Sequence, residues 1–453
     1  MQRLRWFLFI MIGLVVLFTG CQNKQTKNDS NNDKEAGDNV NEEERSAHHS
    51  SKQMVGSWAG SIEIPNEPLP IQVTFENEQD IDGHISIPVQ GLADYPFSSI
   101  RVNDDGATFT MDIQGQKATF KGDVTEGEIA GTFTQHGQSF PFTLKRDDTT
   151  VSEEDGEFLE IETDMGTLIG ELHMPESVDA APVMLIIPGS GNTDRNGNSS
   201  AGKNNSLKYL AEELGDQGIA SLRFDKRGAG KNREAIGDEA DFRFDQYVTD
   251  AVQWVELLRS DERFTSVGII GHSEGSLVGI MAAQDIDIDA FISVAGAGRP
   301  MDESLYEQIE ASGMSESLLS ESMSIIDQLK KGEEVSDVSD ALYNLFRPSV
   351  QPYMISLMAH DPAEEIAKLD IPILIISGTH DIQISVLDAE TLAEAKPEAD
   401  LSIIEEMNHV LKEAPKDRTK NMATYSDPNL PLADNLMKDI MDFLEEASFL
   451  DQE

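Results

Sequence analysis

A chain of 453 residues exceeds what one hydrophobic core ordinarily organises, so more than one folded region plus non-globular segments is expected. Its 83 acidic against 34 basic residues leave a formal charge of −49, a field that repels nucleic acid and draws in no phosphate-rich ligand. A hydrophobic fraction of 39% is still ample for true cores, and a single cysteine excludes a disulfide within the chain.

Residues 1–20 read as a signal peptide rather than as structure. Arg3 and Arg5 give a positive start, residues 6–18 form an apolar run too short for a comfortable transmembrane helix, and Thr19, Gly20 and Cys21 follow. This arrangement resembles the lipobox of bacterial lipoproteins, with Phe18 where leucine is usual. The resemblance implies a lipid on Cys21, which would hold the chain on the extracytoplasmic face of the cell membrane. Residues 21–52 are dominated by Asn, Asp, Glu, Lys, Gln and Ser, cannot offset the entropy of ordering, and are expected to be a disordered tether. His48 and His49 lie in it without the further pattern a metal site needs.

From 53 to 147 the pattern changes to short alternating runs, with strands predicted at 57–64, 71–75, 84–89, 108–113, 118–124, 128–134 and 140–144, separated by glycine-containing turns. Such spacing predicts a small all-β domain, a sandwich or a barrel, with Trp58 as a core anchor. No acid, base or metal-ligand cluster falls within it. Residues 147–157 are acidic and turn-like, a linker.

Beyond the linker, strands and helices alternate. A hairpin is expected at 158–162 and 166–173, then a buried strand at 183–187, a helix at 206–216, a strand at 219–224, a helix at 241–259 and a strand at 267–270. A helix to about 284 and a strand at 290–294 continue the series, strands at 371–377 and 401–404 resume it, and a helix at 432–444 closes it. This βαβ order over 158–448 predicts an α/β fold with a mostly parallel sheet covered on both faces. Residues 299–369, rich in Ser, Glu, Met and Leu at helical spacing, interrupt it as a helical cap.

The chemistry centres on Gly271-His272-Ser273-Glu274-Gly275. A Gly-x-Ser-x-Gly string is weak alone, but here a buried strand ends just before it and an apolar helix face, Leu277, Val278, Ile280 and Met281, follows. A serine on so sharp a turn has its hydroxyl exposed, and flanking side chains would collide with the neighbouring elements. Serine needs a base, and the base needs a carboxylate behind it. Asp381 and His409 each fall just past a core strand, in the order Ser, Asp, His expected for a fold of this kind. His380, beside Asp381, is a rival base; Asp361 and Asp388 are rival carboxylates. Two backbone N–H groups must meet the developing oxyanion. Glu274 should supply one, and the loop Pro188-Gly189-Ser190-Gly191 the other, with Ser190 first and Gly191 second. The loop runs on through Asn192, Thr193, Asp194, Arg195, Asn196, Gly197 and Asn198, superficially a calcium loop but without its distal glutamate. A substrate-contacting role for Gly191, Asn192 and Arg195 is expected instead, with no metal and no cofactor.

Residues 158–448 resemble the α/β-hydrolase superfamily. The stretches from Gly189 to Gly197, Phe224-Asp225-Lys226-Arg227-Gly228-Ala229-Gly230 and Arg347-Pro348-Ser349-Val350-Gln351-Pro352-Tyr353 are similar to a bacterial branch of esterases and serine aminopeptidase-like hydrolases. The β-rich region is more loosely similar to a module ahead of some secreted members. This resemblance implies a triad of Ser273, Asp381 and His409, with Asp225 and Arg227 as a structural turn. The implied activity is hydrolysis of small carboxylic esters of short to medium acyl chain through an acyl-enzyme. A peptidase, amidase or acyltransferase, and a non-catalytic surface-binding lipoprotein, are the alternatives. No residue pattern specifies an oligomeric state.

Overall fold

The computed structural model describes residues 53–450, apart from 65–67, 78–80, 88–91, 104–105, 114–115, 126, 136, 147–155, 177, 200–201, 312–313 and 340. The expected signal peptide, Cys21, the tether with its histidine pair and most of the acidic linker lie outside the described residues. The chain divides into two compact units, one ending at Glu154 and the other beginning at Asp155. No helix among the described residues is long and apolar enough to cross a membrane.

The first unit is one antiparallel sheet of nine strands: β1 (Gly56–Ile62), β2 (Leu69–Glu76), β3 (Asp82–Ile87), β4 (Leu92–Pro96), β5 (Ser99–Asn103), β6 (Gly106–Ile113), β7 (Gln116–Val124), β8 (Glu128–Gln135) and β9 (Gln138–Arg146). Its order is β4-β3-β2-β1-β9-β8-β7-β6-β5. The edges β4 and β5 are separated in the chain by Phe97 and Ser98 alone, so the sheet has to curl until its edges approach. At that seam Phe97 N donates to Gly83 O at 2.9 Å and Ser98 N to Thr110 O at 2.7 Å. The sandwich-or-barrel alternative is thereby resolved as a single half-barrel sheet. Alternation sends Trp58, Phe75, Phe109, Phe120 and Phe142 inward, where they are buried. Phe120 stacks on Phe109 at 4.9 Å and meets Phe142 edge-on at 5.2 Å. Strands β4 and β5 escaped the sequence reading because each is short and carries few apolar residues; β5 alternates between exposed and half-buried.

In the second unit the strands are β10 (Glu157–Thr163), β11 (Gly166–His173), β12 (Ala181–Ile187), β13 (Ala220–Phe224), β14 (Phe264–His272), β15 (Ala290–Val294), β16 (Ile373–Gly378) and β17 (Asp400–Ile404). They form one sheet in the order β10-β11-β13-β12-β14-β15-β16-β17. The hairpin β10–β11 is antiparallel and β11 pairs antiparallel with β13, whereas every pairing from β13 to β17 is parallel. The continuous apolar runs follow from helices on both faces. Leu185 and Ile269 enter the core under α2 (Phe244–Ser260) and α3 (Glu274–Asp285), while Met184, Ile186 and Ile270 enter the core under α1 (Ser206–Asp216) and the closing helix.

Between β15 and β16 the chain inserts α4 (Met301–Ala311), α5 (Glu316–Leu329), α6 (Tyr343–Phe346), α7 (Gln351–Met358) and α8 (Pro362–Ile366). After them α9 (Val386–Ala395), α10 (Arg418–Thr424) and α11 (Leu436–Glu446) complete the unit. Their apolar residues, among them Leu305, Ile326, Phe346 and Met354, join the α2–α3 core, so the insertion is packed as part of the unit.

Candidate active site

Strand β14 ends at His272 and α3 begins at Glu274, so Ser273 alone makes the turn, at φ 55° and ψ −121°. A non-glycine residue holds such a conformation only when its surroundings leave no alternative. Here they do not: Ser273 N donates to Val294 O at 2.9 Å, tying the turn to the end of β15. A Cβ on Gly271 would lie 2.3 Å from Gly275 O, and one on Gly275 would lie 2.3 Å from Ile187 O. Both glycines are therefore demanded by backbone passing over backbone.

Two loops at the same edge of the sheet carry the partners. Asp381 follows β16; its Oδ1 accepts from Gln383 N at 2.7 Å and Ile384 N at 2.9 Å, which leaves Oδ2 to accept from His409 Nδ1 at 2.8 Å. His409 follows β17, and its Nε2 faces Ser273 Oγ at 3.1 Å. With the proton on Nδ1, Nε2 can accept from the hydroxyl. Asp381 is 0% exposed at its side chain and His409 6%, so the pair works in a dry setting. Ser273 remains partly open.

Polar side chains hold these loops. Asn408 donates to Thr424 Oγ1 at 2.7 Å and to Asn421 Oδ1 at 3.2 Å, and its own Oδ1 accepts from Lys412 N at 3.1 Å. Asn421 on α10 donates to His380 O at 2.9 Å, so one helix fixes both the Asp381 and the His409 loop. Lys412 is fully buried, with Nζ donating to Leu430 O at 2.6 Å, and burial lowers its pKa to about 8.

The rivals are engaged elsewhere. His380 Nδ1 bonds Ala414 O. Asp361 caps α8 through Ala363 N, and Asp388 pairs with Arg299 and Ser385. His272 Nε2 donates to His409 O at 2.8 Å, and burial pushes this imidazole down to about 4.

Glu274 opens α3, where backbone N–H groups lack intrahelical partners. The loop after β12 passes close by, since a Cβ on Gly189 would meet Ser273 Cβ at 3.0 Å. Ser190 is next in that loop, and its carbonyl accepts from Thr193 Oγ1 at 2.8 Å. Gly191 turns the chain at φ 78°, and Asn192 Oδ1 is buried with no hydrogen-bond partner in the described residues.

Arg195, expected to contact substrate, is engaged in ion pairs. Its Nε donates to Glu171 at 2.6 Å, an NH1 proton to Asp225 at 2.9 Å and its backbone N to Asp225 Oδ1 at 2.8 Å. Glu171 also holds Arg223 at 2.8 Å. The side chain is 8% exposed and paired with two carboxylates, so it braces the loop. Asp194 completes that turn by accepting from Asn196 N at 2.9 Å and Asn198 N at 2.8 Å, and burial raises its carboxyl to about 6. Arg227 makes a bidentate pair with buried Asp250, both contacts at 2.6 Å.

Three residues beside the site had no role assigned from sequence. Lys226 Nζ donates to Gly189 O at 3.1 Å and Glu274 Oε1 at 2.7 Å, and sits 3.9 Å over the Tyr247 ring. Tyr353 on α7 donates to Glu274 Oε2 at 2.6 Å. Lys226 and Tyr353 both lie in the family-like stretches, so their presence was visible, but only the folded chain brings them together.

The family described as "Serine aminopeptidase, S33" matches residues 201–414. Esterase EstD of Thermotoga maritima is 26% identical over 292 residues, 63% of this chain and 67% of that protein. Among solved structures, Est1E of Butyrivibrio proteoclasticus with ferulic acid bound is 19% identical, covers 64% of this chain and 99% of that one, and has a TM-score of 0.43. The Pyrococcus furiosus esterase PF2001 is 17% identical, with 65% and 91% covered and a TM-score of 0.41.

Proposed function

Because the second unit belongs to the α/β-hydrolase superfamily, we propose that this chain is a serine-dependent carboxylic ester hydrolase acting through an acyl-enzyme. The observation that carries the reading is the continuous chain Ser273 Oγ, His409 Nε2, His409 Nδ1, Asp381 Oδ2, with contacts of 3.1 and 2.8 Å. Ser273 Oγ bonds to the ester carbonyl carbon while its proton passes to His409 Nε2. The carbonyl oxygen becomes an oxyanion held by the N–H groups of Glu274 and Ser190. Collapse expels the alcohol, which leaves with the proton from His409. A water then repeats the sequence, giving up a proton to His409 and releasing the carboxylic acid and free Ser273.

Asp381 is not asked to take the proton. Its Oδ1 is already saturated by two backbone donors, so it fixes the tautomer of His409 and stabilises the imidazolium. Esters of short to medium acyl chain are favoured over amides by their better leaving group, and the Met- and Leu-containing insertion suits an apolar portion. The positive start, apolar run and Cys21 support a lipid anchor on the extracytoplasmic membrane face; loss of radiolabelled-lipid incorporation in Cys21→Ala tests it.

Ser273→Ala should lose hydrolysis of p-nitrophenyl acetate and butyrate, by at least about 10⁴-fold, while remaining folded. Labelling of wild type by a fluorophosphonate, absent in that variant, gives the same answer. Unchanged turnover in Ser273→Ala would sink the assignment.

A further inference from the structure

We infer that Lys226 is a positioning residue that cross-braces the two halves of the oxyanion hole, and that Tyr353 extends the brace into the helical insertion. The inference rests on the reaction proposed above but concerns residues that take no part in its bond-making steps.

The two N–H groups come from segments far apart in sequence. Ser190 lies in the loop after β12, and Glu274 lies at the start of α3. The Ser190 N–H and the Gly189 carbonyl belong to one peptide group, and no cis peptide occurs among the described residues. In a trans peptide these two groups point in opposite directions. Whatever holds the Gly189 oxygen therefore aims the Ser190 N–H. Lys226 holds it, with Nζ at 3.1 Å.

The same ammonium pairs with Glu274 Oε1 at 2.7 Å, so the residue supplying the other N–H is gripped by the same atom. Lys226 and Glu274 are 3% and 6% exposed at their side chains, and a buried pair of this kind holds its geometry against water. The ring of Tyr247 closes over the ammonium, and Tyr353 OH occupies the remaining Glu274 oxygen at 2.6 Å. Loop, turn, helix start and insertion thus meet at two side chains. The pair is close to neutral as a unit, so its contribution to the reaction is alignment, with little field of its own at the oxyanion.

The test compares Lys226→Met, Lys226→Met/Glu274→Gln and Tyr353→Phe with wild type on p-nitrophenyl butyrate. It adds the inhibition constants of a trifluoromethyl ketone, which requires the oxyanion hole, and of 1-butanol, which has no carbonyl oxygen to place there. Lys226→Met alone leaves a buried unpaired carboxylate, which works against folding; the double variant removes that charge and keeps the brace broken. In the double variant kcat should fall on the order of 10²-fold with KM within about twofold. Affinity for the trifluoromethyl ketone should fall in parallel, with 1-butanol unaffected. Tyr353→Phe should lose about 3- to 10-fold in kcat, and its effect should shrink in the double-variant background, because both act through Glu274.

Recovery of wild-type kcat in the double variant would mean that only the stranded charge mattered, and overturns the brace. So does a loss in which ketone and 1-butanol affinity fall together. If Ser273→Ala keeps its turnover, the underlying reaction fails and the brace fails with it. Loss in Ser273→Ala with an unaffected double variant rejects the brace alone.

Discussion

The proposed nucleophile and its proposed base are held in place by different physics. Ser273 is fixed by steric exclusion: a φ of 55°, glycines on either side whose Cβ atoms would strike backbone at 2.3 Å, and a strand neighbour accepting its N–H. Asp381 is fixed by hydrogen bonds from the backbone N–H groups of Gln383 and Ile384, and the loops that carry it and His409 are held by Asn408 and Asn421, so the supports are drawn from two loops and a helix. Sterics of the first kind tolerate almost nothing, whereas a network of the second kind loosens one bond at a time. His272 joins the two regions, donating from the turn to the carbonyl of His409.

The largest expected effect lies on the network side. Asp381→Asn keeps the shape but can offer Nδ2 to His409 Nδ1, which favours the wrong tautomer; kcat for p-nitrophenyl butyrate should fall on the order of 10³- to 10⁴-fold at an almost unchanged melting temperature. A melting temperature that collapses with activity would move Asp381 from the chemistry to the scaffold.

Gly275→Ala should do the reverse. It forces a methyl against Ile187 O and Pro188 O, at 2.3 and 2.7 Å, and should cost roughly 3 kcal/mol or more in denaturant titration. A variant that retains wild-type stability would show that the turn is less rigid than its contacts imply.

The link between the regions titrates. The His272 pKa is lowered from 6.5 to about 4, chiefly by burial and then by His409, with Asp381 opposing. Between those values the unfolded chain binds the proton and the folded chain does not. Stability from this group is therefore complete above pH 6.5 and is lost as pH falls toward 4, by roughly 3 kcal/mol. Raised Asp194 acts with the opposite sign over 3.8 to about 6, so the contribution shows as a difference between variants. His272→Gln should flatten the decline of melting temperature between pH 6.5 and 4; an unaltered slope would remove His272 as its source.

Smallest is Asn421→Ala, which strips a donor from His380 O and a partner from Asn408. About 1–3 kcal/mol of stability should go, with a several-fold fall in kcat and little change in KM. A fall in stability with kcat untouched would show that α10 supports the fold but does not register the base.

The same contrast explains what could be read from sequence. The turn at Ser273 was legible because sterics leave a local signature: glycines at fixed offsets between a strand and a helix. Asp381 and His409 were legible by their places at strand ends. The supports were not, because Asn408, Asn421 and Lys412 are ordinary polar letters until the fold buries them. The ion pairs of Arg195 were illegible for a related reason: its carboxylate partners, Glu171 and Asp225, are 24 and 30 residues away, and nothing local marks their convergence. In the half-barrel, the inward aromatic positions were visible from alternation, while β4 and β5 are edges with too little apolar content to announce themselves.

Helix α3 lies against its neighbours at Gly275 and Gly279, with Gly271 of β14 facing it, and a Cβ on Gly279 would meet Phe291 at 2.7 Å. For anyone wishing to redirect this enzyme by laboratory evolution, that seam is frozen: libraries placed there should yield mainly dead clones. Productive diversity belongs in the insertion between β15 and β16, away from Tyr353, which can change without lifting a helix off a sheet.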